Sequence, residues 1–248
     1  MPDITAIITA HKERVLAGPA IASFDAAIRR ARAAGLSVEG LAVLDRADEL
    51  TTRMFDQVKT CGHTVIANDG GDPGLTRNRG VGEAKGDFVA FLDADDLWSE
   101  NWLEAAFAFL ANTPGDVIAH SEINVVFGEE RTLWVHADST TPDFDLSYQR
   151  IGNHWDSMSF GPRRLYAQYP FLKNDVAFGY GHEDWHWNNV TLEAGIQHRP
   201  VPGTIHMKRR RPGSQMAKCA ENDVVVRPSA LAHFDFSSLI HEKRVGSG

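Results

Sequence analysis

Two carboxylates, Asp93 and Asp95, stand two positions apart at the end of the apolar run Phe88–Leu92. Placed together they repel, unless a cation or a hydrogen-bond donor lies between them. Hard divalent ions such as Mg2+ and Mn2+ favour such oxygens and share them with substrate phosphates. Asp96 reads more simply, as an acid that complements the start of the next helix. A second acidic pair, Glu183-Asp184, opens a predicted helix after Gly179-Tyr180-Gly181, where its charge also suits the helix dipole. The same stretch, His182-Glu183-Asp184-Trp185-His186, fits the His-Glu-x-x-His pattern of zinc hydrolases, for which His206 or Glu193 would have to add a third ligand. Three features oppose zinc. The motif sits at a helix start rather than inside a helix, Asn189 and Leu192 occupy the Gly and His positions of the longer zincin pattern, and the acidic strand end is left unexplained. The basic run Lys208–Arg211, like Arg77 and Arg79, reads by itself as a solvated face.

These side chains need a scaffold, and the first half of the chain alternates strand with helix. Residues 3–9 form a buried strand, and a helix follows from Pro19 to about Ala34, stopped by Gly35. Residues 38–44 make a second strand ending at Asp45, with a helix from Asp48 to Thr60 and a strand from His63 to Ala67. Residues 68–74 are dense in turn formers. A helix from Leu75 to Ala84 leads into the strand Phe88–Leu92, and Ser99 is placed to cap a helix ending near Ala111. Such alternation implies a mostly parallel sheet with helices on both faces. The second half offers strands at 117–120, 123–127, 131–135, 196–200 and 203–207, a polar loop at 137–147, and helices at 162–168 and from Glu183 to Ala194. In an open parallel sheet, ligands bind beyond the carboxyl ends of the strands. Those ends are Thr9 to Glu13, Asp45, Asn68 to Gly74, and Asp93 to Asp96, and all are polar.

The sequence has 248 residues, with 25 Lys and Arg against 33 Asp and Glu, a formal net charge of −8. That balance argues against a protein that grips nucleic acid through its phosphates. The longest apolar runs fall far short of the roughly 20 residues of a membrane helix. The first residues carry neither a basic stretch nor a cleavage site, so no signal peptide is expected. Cys61 and Cys219 lie far apart without metal spacing, which points to a reducing, cytoplasmic setting.

In combination, several segments resemble glycosyltransferases of the GT-A fold, close to family 2. They are Ile7-Ile8-Thr9-Ala10-His11, Val43-Leu44-Asp45, Leu75 to Gly80, Gly86 to Asp96, and Gly181-His182-Glu183-Asp184-Trp185, and the likeness runs over roughly residues 3–215. It implies an α/β, Rossmann-like domain at 1–225, with a nucleotide-sugar half (1–115), an acceptor-side half with a smaller antiparallel region (116–225), and a C-terminal tail at 226–248. Gly246-Ser247-Gly248 reads as a frayed end or an expression scar.

The resemblance also implies roles. Thr9, Ala10, His11 and Glu13 would line the nucleotide, with His11 in the stacking place, where the family often carries Pro-x-Tyr-Asn. Asp45 would bond the base, Asn68 and Gly74 would shape the pocket, and Arg77 would contact the nucleotide. Asp93, with Ala94, would meet the ribose. Asp95 would ligate Mn2+ or Mg2+, with His206 as a further ligand. Asp184 would be the general base of an inverting reaction and Glu183 would orient its surroundings. Lys208, Arg209, Arg210 and Arg211, with Ser214, would close over the diphosphate, and His154, Trp155 and Trp185 would receive the acceptor. The implied activity is transfer from a nucleoside-diphosphate sugar, UDP favoured, to a glycan or other hydroxyl acceptor. The alternatives are the zinc hydrolase, a sugar nucleotidyltransferase, which lacks its Gly-rich loop here, and an inactive sugar-nucleotide-binding module.

Overall fold

Strand β1 (Ile4–Ala10) is buried at all seven positions, as a strand must be when helices cover both faces of its sheet. The computed structural model describes residues 1–232. In it β1 pairs in parallel with β2 (Val38–Asp45) and with β4 (Phe88–Asp93), and β3 (Thr64–Asn68) extends the sheet beyond β2. Beyond β4 the sheet becomes mixed. β8 (Phe160–Pro162) runs antiparallel to β4 and to β6 (Val117–Gly128), β10 (Gln197–Arg210) runs parallel to β6, and β5 (Leu97–Trp98) closes that edge. β7 (Thr132–Val135) folds back along β6. The order is β3-β2-β1-β4-β8-β6-β10-β5. The expected tail from 233 onward, Gly246-Ser247-Gly248 included, lies outside the described residues.

Alternation along the strands divides the core in two. Ile4, Ile8, Phe24, Leu92, Trp102 and Leu103 pack under α1 (Ala17–Ala33) and α5 (Trp102–Ala111). Ile7, Val43, Phe91, Tyr166, Phe171 and Trp187 pack under α4 (Pro73–Glu83), α6 (Arg163–Gln168) and α7 (Glu183–Glu193). α4 starts where Asp72 accepts the Leu75 N–H at 3.0 Å and Pro73 takes the first turn, a position where its missing donor is harmless.

Four local expectations change. α1 begins at Ala17, ahead of Pro19, because a 3-10 turn at Arg14–Leu16 runs straight into it. Residues 48–60 form two helices, α2 (Glu49–Met54) and α3 (Asp56–Thr60). The chain bends at Phe55, so that Phe55 and Val58 both reach the core. Ser99 does not cap α5 with its side chain; its Oγ accepts the Ile205 N–H at 3.1 Å. The broken strands at 117–127 and 196–207 are two long ones, β6 and β10, with a register irregularity between Val201 and Ile205. There the Glu122 carboxylate accepts the Gly203 N–H and the Thr204 hydroxyl accepts the Glu122 N–H. The polar residues that look like a break in the sequence thus satisfy the backbone freed by the bulge.

A polar seam runs between β6, β10 and α7. The Thr191 hydroxyl donates to Trp187 O, so His198 donates from Nε2 to Thr191 at 2.8 Å and accepts at Nδ1 from His120 at 2.9 Å. His136 Nδ1 donates to Ser121 O at 2.7 Å. His206 is fully buried, edge-on to Trp102 at 4.5 Å, and neither ring nitrogen has a hydrogen-bond partner among the described residues. Burial lowers the pKa of His120 and His136, and takes His198 and His206 down to about 3. Unfolded histidines take up protons below about pH 6.5, whereas these resist protonation in the folded protein, His198 and His206 down to about 3. Their neutral burial therefore leaves stability intact above that pH and drains it as pH falls toward 3. Replacing His206 with Phe removes one such group without breaking a hydrogen bond. His206→Phe is expected to leave Tm at pH 7 near that of the wild type and to flatten the fall of Tm between pH 6.5 and 4, measured by scanning calorimetry.

Candidate functional site

Beyond the carboxyl ends of β1, β2 and β4 lies a cleft of about 980 Å3, within the size of small-molecule sites. Its far wall is built by the start of α7, the end of β10 and α8 (Gln215–Glu221). Arg77, from α4, forms the floor and is 2% exposed. One edge of its guanidinium donates from Nη1 to Glu183 Oε1 at 2.8 Å. From Nη2 it donates to Asp93 Oδ1 at 2.8 Å, Asp93 Oδ2 at 3.0 Å and Ser157 Oγ at 2.8 Å. Burial opposes its charge, but Asp93, Glu183 and Asp184 outweigh burial and hold it cationic. Burial likewise opposes ionisation of Asp93, and Arg77 and Lys208 overrule it, leaving Asp93 below the usual carboxylate range. Protein acceptors take Nη1 and Nη2, Nε has none among the described residues, and Arg77 borders the cleft with the other residues expected to meet the nucleotide. Arg77 joins the end of β4 to the start of α7 across the base of the cleft.

The two acids that open α7 have different surroundings. Glu183 is 8% exposed, and both its oxygens are taken, by Arg77 and by Asn174 Nδ2 at 2.8 Å. Asp184 is partly exposed to the cleft and accepts the Trp185 N–H at 2.8 Å. Burial first, and then the charge of Glu183, push the Asp184 carboxyl up to about 6, against the pull of Lys208 and Arg77. His182, just before the pair, is left-handed, with φ 60° and ψ 57°. Such a conformation is uncommon for a residue with a Cβ and tends to occur at working sites. Here it turns the chain from β9 (Tyr180–Gly181) into α7.

A second, half-buried cation stands opposite. Lys208 Nζ lies 3.4 Å from Asp156 Oδ2, and Asp156 also accepts from Asn124 at 2.6 Å and from the Met158 N–H at 3.0 Å. Burial would lower the pKa of Lys208, but Asp156, Asp96, Asp93 and Asp184 together raise it. Asp96 accepts the Arg209 N–H at 2.6 Å, and burial holds its carboxyl well above the usual range. Asp95 lines the cleft and Arg211 Nε donates to it at 2.6 Å. Glu13 accepts the His11 N–H, and burial raises its pKa, as does the charge of Asp95.

The other anticipated residues separate into two groups. Thr9, Ala10, His11, Glu13, Asp45, Ala94, Asp95, Trp185, Lys208 and Arg210 all line the cleft with Asp93 and Asp184. Thr9 donates to Asp93 at 3.0 Å, and His11 Nδ1 donates to Asp45 O at 2.6 Å. Asn68 and Gly74 do not line it. Asn68 donates to Asp45 Oδ1 at 2.9 Å. At Gly74 a Cβ would come within 2.9 Å of Leu172 O and 3.1 Å of Glu183 Cγ, so the glycine lets α4 approach the base of α7. His206 lies apart from the cleft lining, against Trp102. His154 turns to Asp145 O, and Trp155 borders the cleft but is fully buried, donating to Ala137 O. The zinc reading fails on its third ligand. Glu193 accepts the Leu231 N–H, His206 is packed away, and among the described residues no three His, Cys, Asp or Glu side chains converge on a metal position. Ser157 and Asn174 were not anticipated as site residues; both lie in irregular segments, with no periodicity to mark them.

The model of the family described as "Glycosyl transferase family 2" matches residues 5–173. Among solved structures, mannosyltransferase PcManGT from Pyrobaculum calidifontis, in complex with GDP-Man and Mn2+, is similar at a TM-score of 0.60 and 14% identity, over 98% of this chain and 69% of that one. S. aureus TarS 1-349, in complex with UDP-GlcNAc, is similar at a TM-score of 0.57 and 16% identity, over 86% and 60%. These likenesses concern the fold. Amylovoran biosynthesis glycosyltransferase AmsB of Erwinia amylovora is 37% identical over 54 residues, which span 20% of this chain and 18% of AmsB.

Breaking a buried ion pair by removing one partner leaves a charge without compensation and costs about 3–5 kcal/mol. Arg77→Met is therefore expected to lower unfolding free energy by about that much, read from urea titration. Arg77→Lys should recover only part of the loss, because an ammonium cannot present two edges.

Proposed function

The chain belongs to glycosyl transferase family 2, and on that premise we propose that it transfers a sugar from a nucleoside-diphosphate sugar to an acceptor hydroxyl, with inversion at the anomeric carbon. The observation that carries this reading is the place of the Asp184 carboxyl, on the cleft wall that Arg77 ties to Asp93, where burial and Glu183 push its pKa up to about 6. A carboxylate of that pKa is ionised at neutral pH and basic enough to take a proton in flight. Asp184 removes the acceptor hydroxyl's proton as the oxygen attacks the anomeric carbon. Glu183 has no free oxygen for that work and instead holds Arg77. Trp185, its indole N–H fixed on Gln149 O at 2.7 Å, offers a flat surface for a glycan acceptor.

On the donor side, Asp93 accepts from a ribose hydroxyl. Asp45 Oδ1 is occupied by Asn68 and Gly71, so Oδ2 accepts an imide N–H of the base, uracil favoured, with His11 beside it. Mn2+ or Mg2+ fits the donor set. Such ions bind through one or two carboxylates and complete their shell with water and substrate phosphates, and Asp95 is a cleft carboxylate of that kind. His206 has no part in this set. The ion, when bound, stabilises the negative charge that builds on the departing diphosphate. Lys208 adds a fixed positive charge nearby, and the strand end carrying Arg209 and Arg210 supplies further donors.

Protonated Asp184 cannot accept a proton, so kcat/KM is expected to fall as pH drops below about 6 and to level off above it. Asp184→Asn should abolish that limb and cut transfer by roughly 10²–10⁴ while donor binding by calorimetry persists. Transfer near the wild-type rate would mean that the base lies elsewhere. A thermal-shift panel of nucleoside diphosphates with Mn2+ should raise Tm most for UDP, by mass action, and Asp95→Ala should erase the Mn2+-dependent part. A shift that survives Asp95→Ala would remove Asp95 from the metal site.

A further inference from the structure

Arg211 is the first residue past β10, in the short connection to α8. Its guanidinium spans two loops: Nε donates to Asp95 Oδ2 at 2.6 Å and Nη2 to Glu13 Oε1 at 3.3 Å. The other cations of the run have different partners. Lys208 faces Asp156. Arg209 donates to Asp95 O and lies 4.5 Å from the Phe127 ring centroid. Arg210 is directed to Glu130. Of the four, Arg211 alone rests its charge on the side-chain carboxylate that the reading above gives to a divalent ion. A guanidinium and a divalent ion cannot both sit close on one carboxylate oxygen without strong like-charge repulsion.

We propose that Arg211 is an internal stand-in for the cation. It neutralises Asp95, with Glu13 steadying its other edge, and it yields Asp95 to the metal when a nucleoside diphosphate offers the guanidinium two phosphate oxygens instead. The inference rests on Asp95 as the metal carboxylate and adds a residue and an order to it. The exchange conserves the logic of the charges. Asp95, Glu13 and Arg211 together carry −1; a divalent ion that takes Asp95 brings +2, and Arg211 leaves with its +1 for a diphosphate that bidentate guanidinium pairing suits. The position fits such a move. Arg211 is tethered at a strand end, and the connection through Gly213 and Ser214 lines the same cleft. The metal and the diphosphate then strengthen each other's binding, because each relieves the other of Arg211, and by linkage the coupling is reciprocal.

The test uses the full chain and Mn2+ alone, with free Mn2+ read by electron paramagnetic resonance, so that it needs neither turnover nor the right nucleotide. Arg211→Gln should bind Mn2+ at least tenfold more tightly than wild type, and Arg211→Lys, which keeps a charge there, should stay near wild type. Asp95→Asn in the Arg211→Gln background should abolish the gain. An unchanged or weaker Mn2+ affinity in Arg211→Gln, with circular dichroism and Tm intact, would overturn the exchange and leave Asp95 as the metal residue. A gain that survives Asp95→Asn would overturn both the exchange and the metal role of Asp95.

Discussion

The guanidinium of Arg77 reaches three elements from inside the protein. It leaves α4, grips Asp93 at the end of β4 and Glu183 at the start of α7, and touches Ser157 between them. Buried charges are expensive unless each finds its opposite with good geometry, so the positions of β4, α4 and α7 are mutually constrained by this one group. The constraint needs α4 to lie close on the sheet and close to α7. Gly80 permits the first, since a Cβ there would come within 2.9 Å of Ile7 Cγ2, and Gly74 permits the second. A planar, two-edged cation is the side chain that can serve two carboxylates at once, and the placing of Asp184 beside the cleft follows from it.

The same few cations set different carboxylates to different tasks. Asp93 and Asp156 meet Arg77 and Lys208 at close range and are held ionised despite burial. Asp184 is half-buried beside Glu183, feels those cations less, and has its pKa pushed up to about 6. Environment alone divides the labour among chemically equivalent groups. The overall charge of −8 therefore says little about ligands. Around this cleft Arg77, Lys208 and Arg211 offset part of the acidic charge, which makes an anionic ligand compatible with an acidic protein.

Much of the architecture is visible in the sequence because its signals are local. The apolar runs of β1, β2 and β4, the turn-rich stretch before Pro73 and the acids at the strand ends lie within a few residues of one another, and the parallel half of the sheet follows from them. The second half is harder to read. β6 and β10 look broken because Ser121-Glu122 and Gly203-Thr204 are polar, and only pairing across the bulge shows why. His206 looks like a ligand because it follows a strand beside basic residues, but the packing of Trp102 encloses it. His154 and Trp155 look like an exposed aromatic platform, and the loop that carries them folds inward. Ser157 and Asn174 carry no pattern at all, because irregular segments have no period from which a side chain's direction can be read.

What the sequence determines by itself is which residue types stand at the ends of which strands, because hydrophobic periodicity and turn chemistry act over short distances. That is enough to bring Thr9, Asp45, Asp93 and Asp95 to one edge of a sheet and to mark Glu183-Asp184 as the opposing pair. Which charge meets which is decided by the tertiary structure. Arg77 and Glu183 are 106 residues apart, and Arg211 and Asp95 are 116 apart. Electrostatic energy depends on separation and burial in space, and neither can be read along the chain. Only the packed protein turns Arg77 from a solvated helix residue into a buried link, reserves Glu183 for it, and leaves Asp184 beside the cleft with a raised pKa.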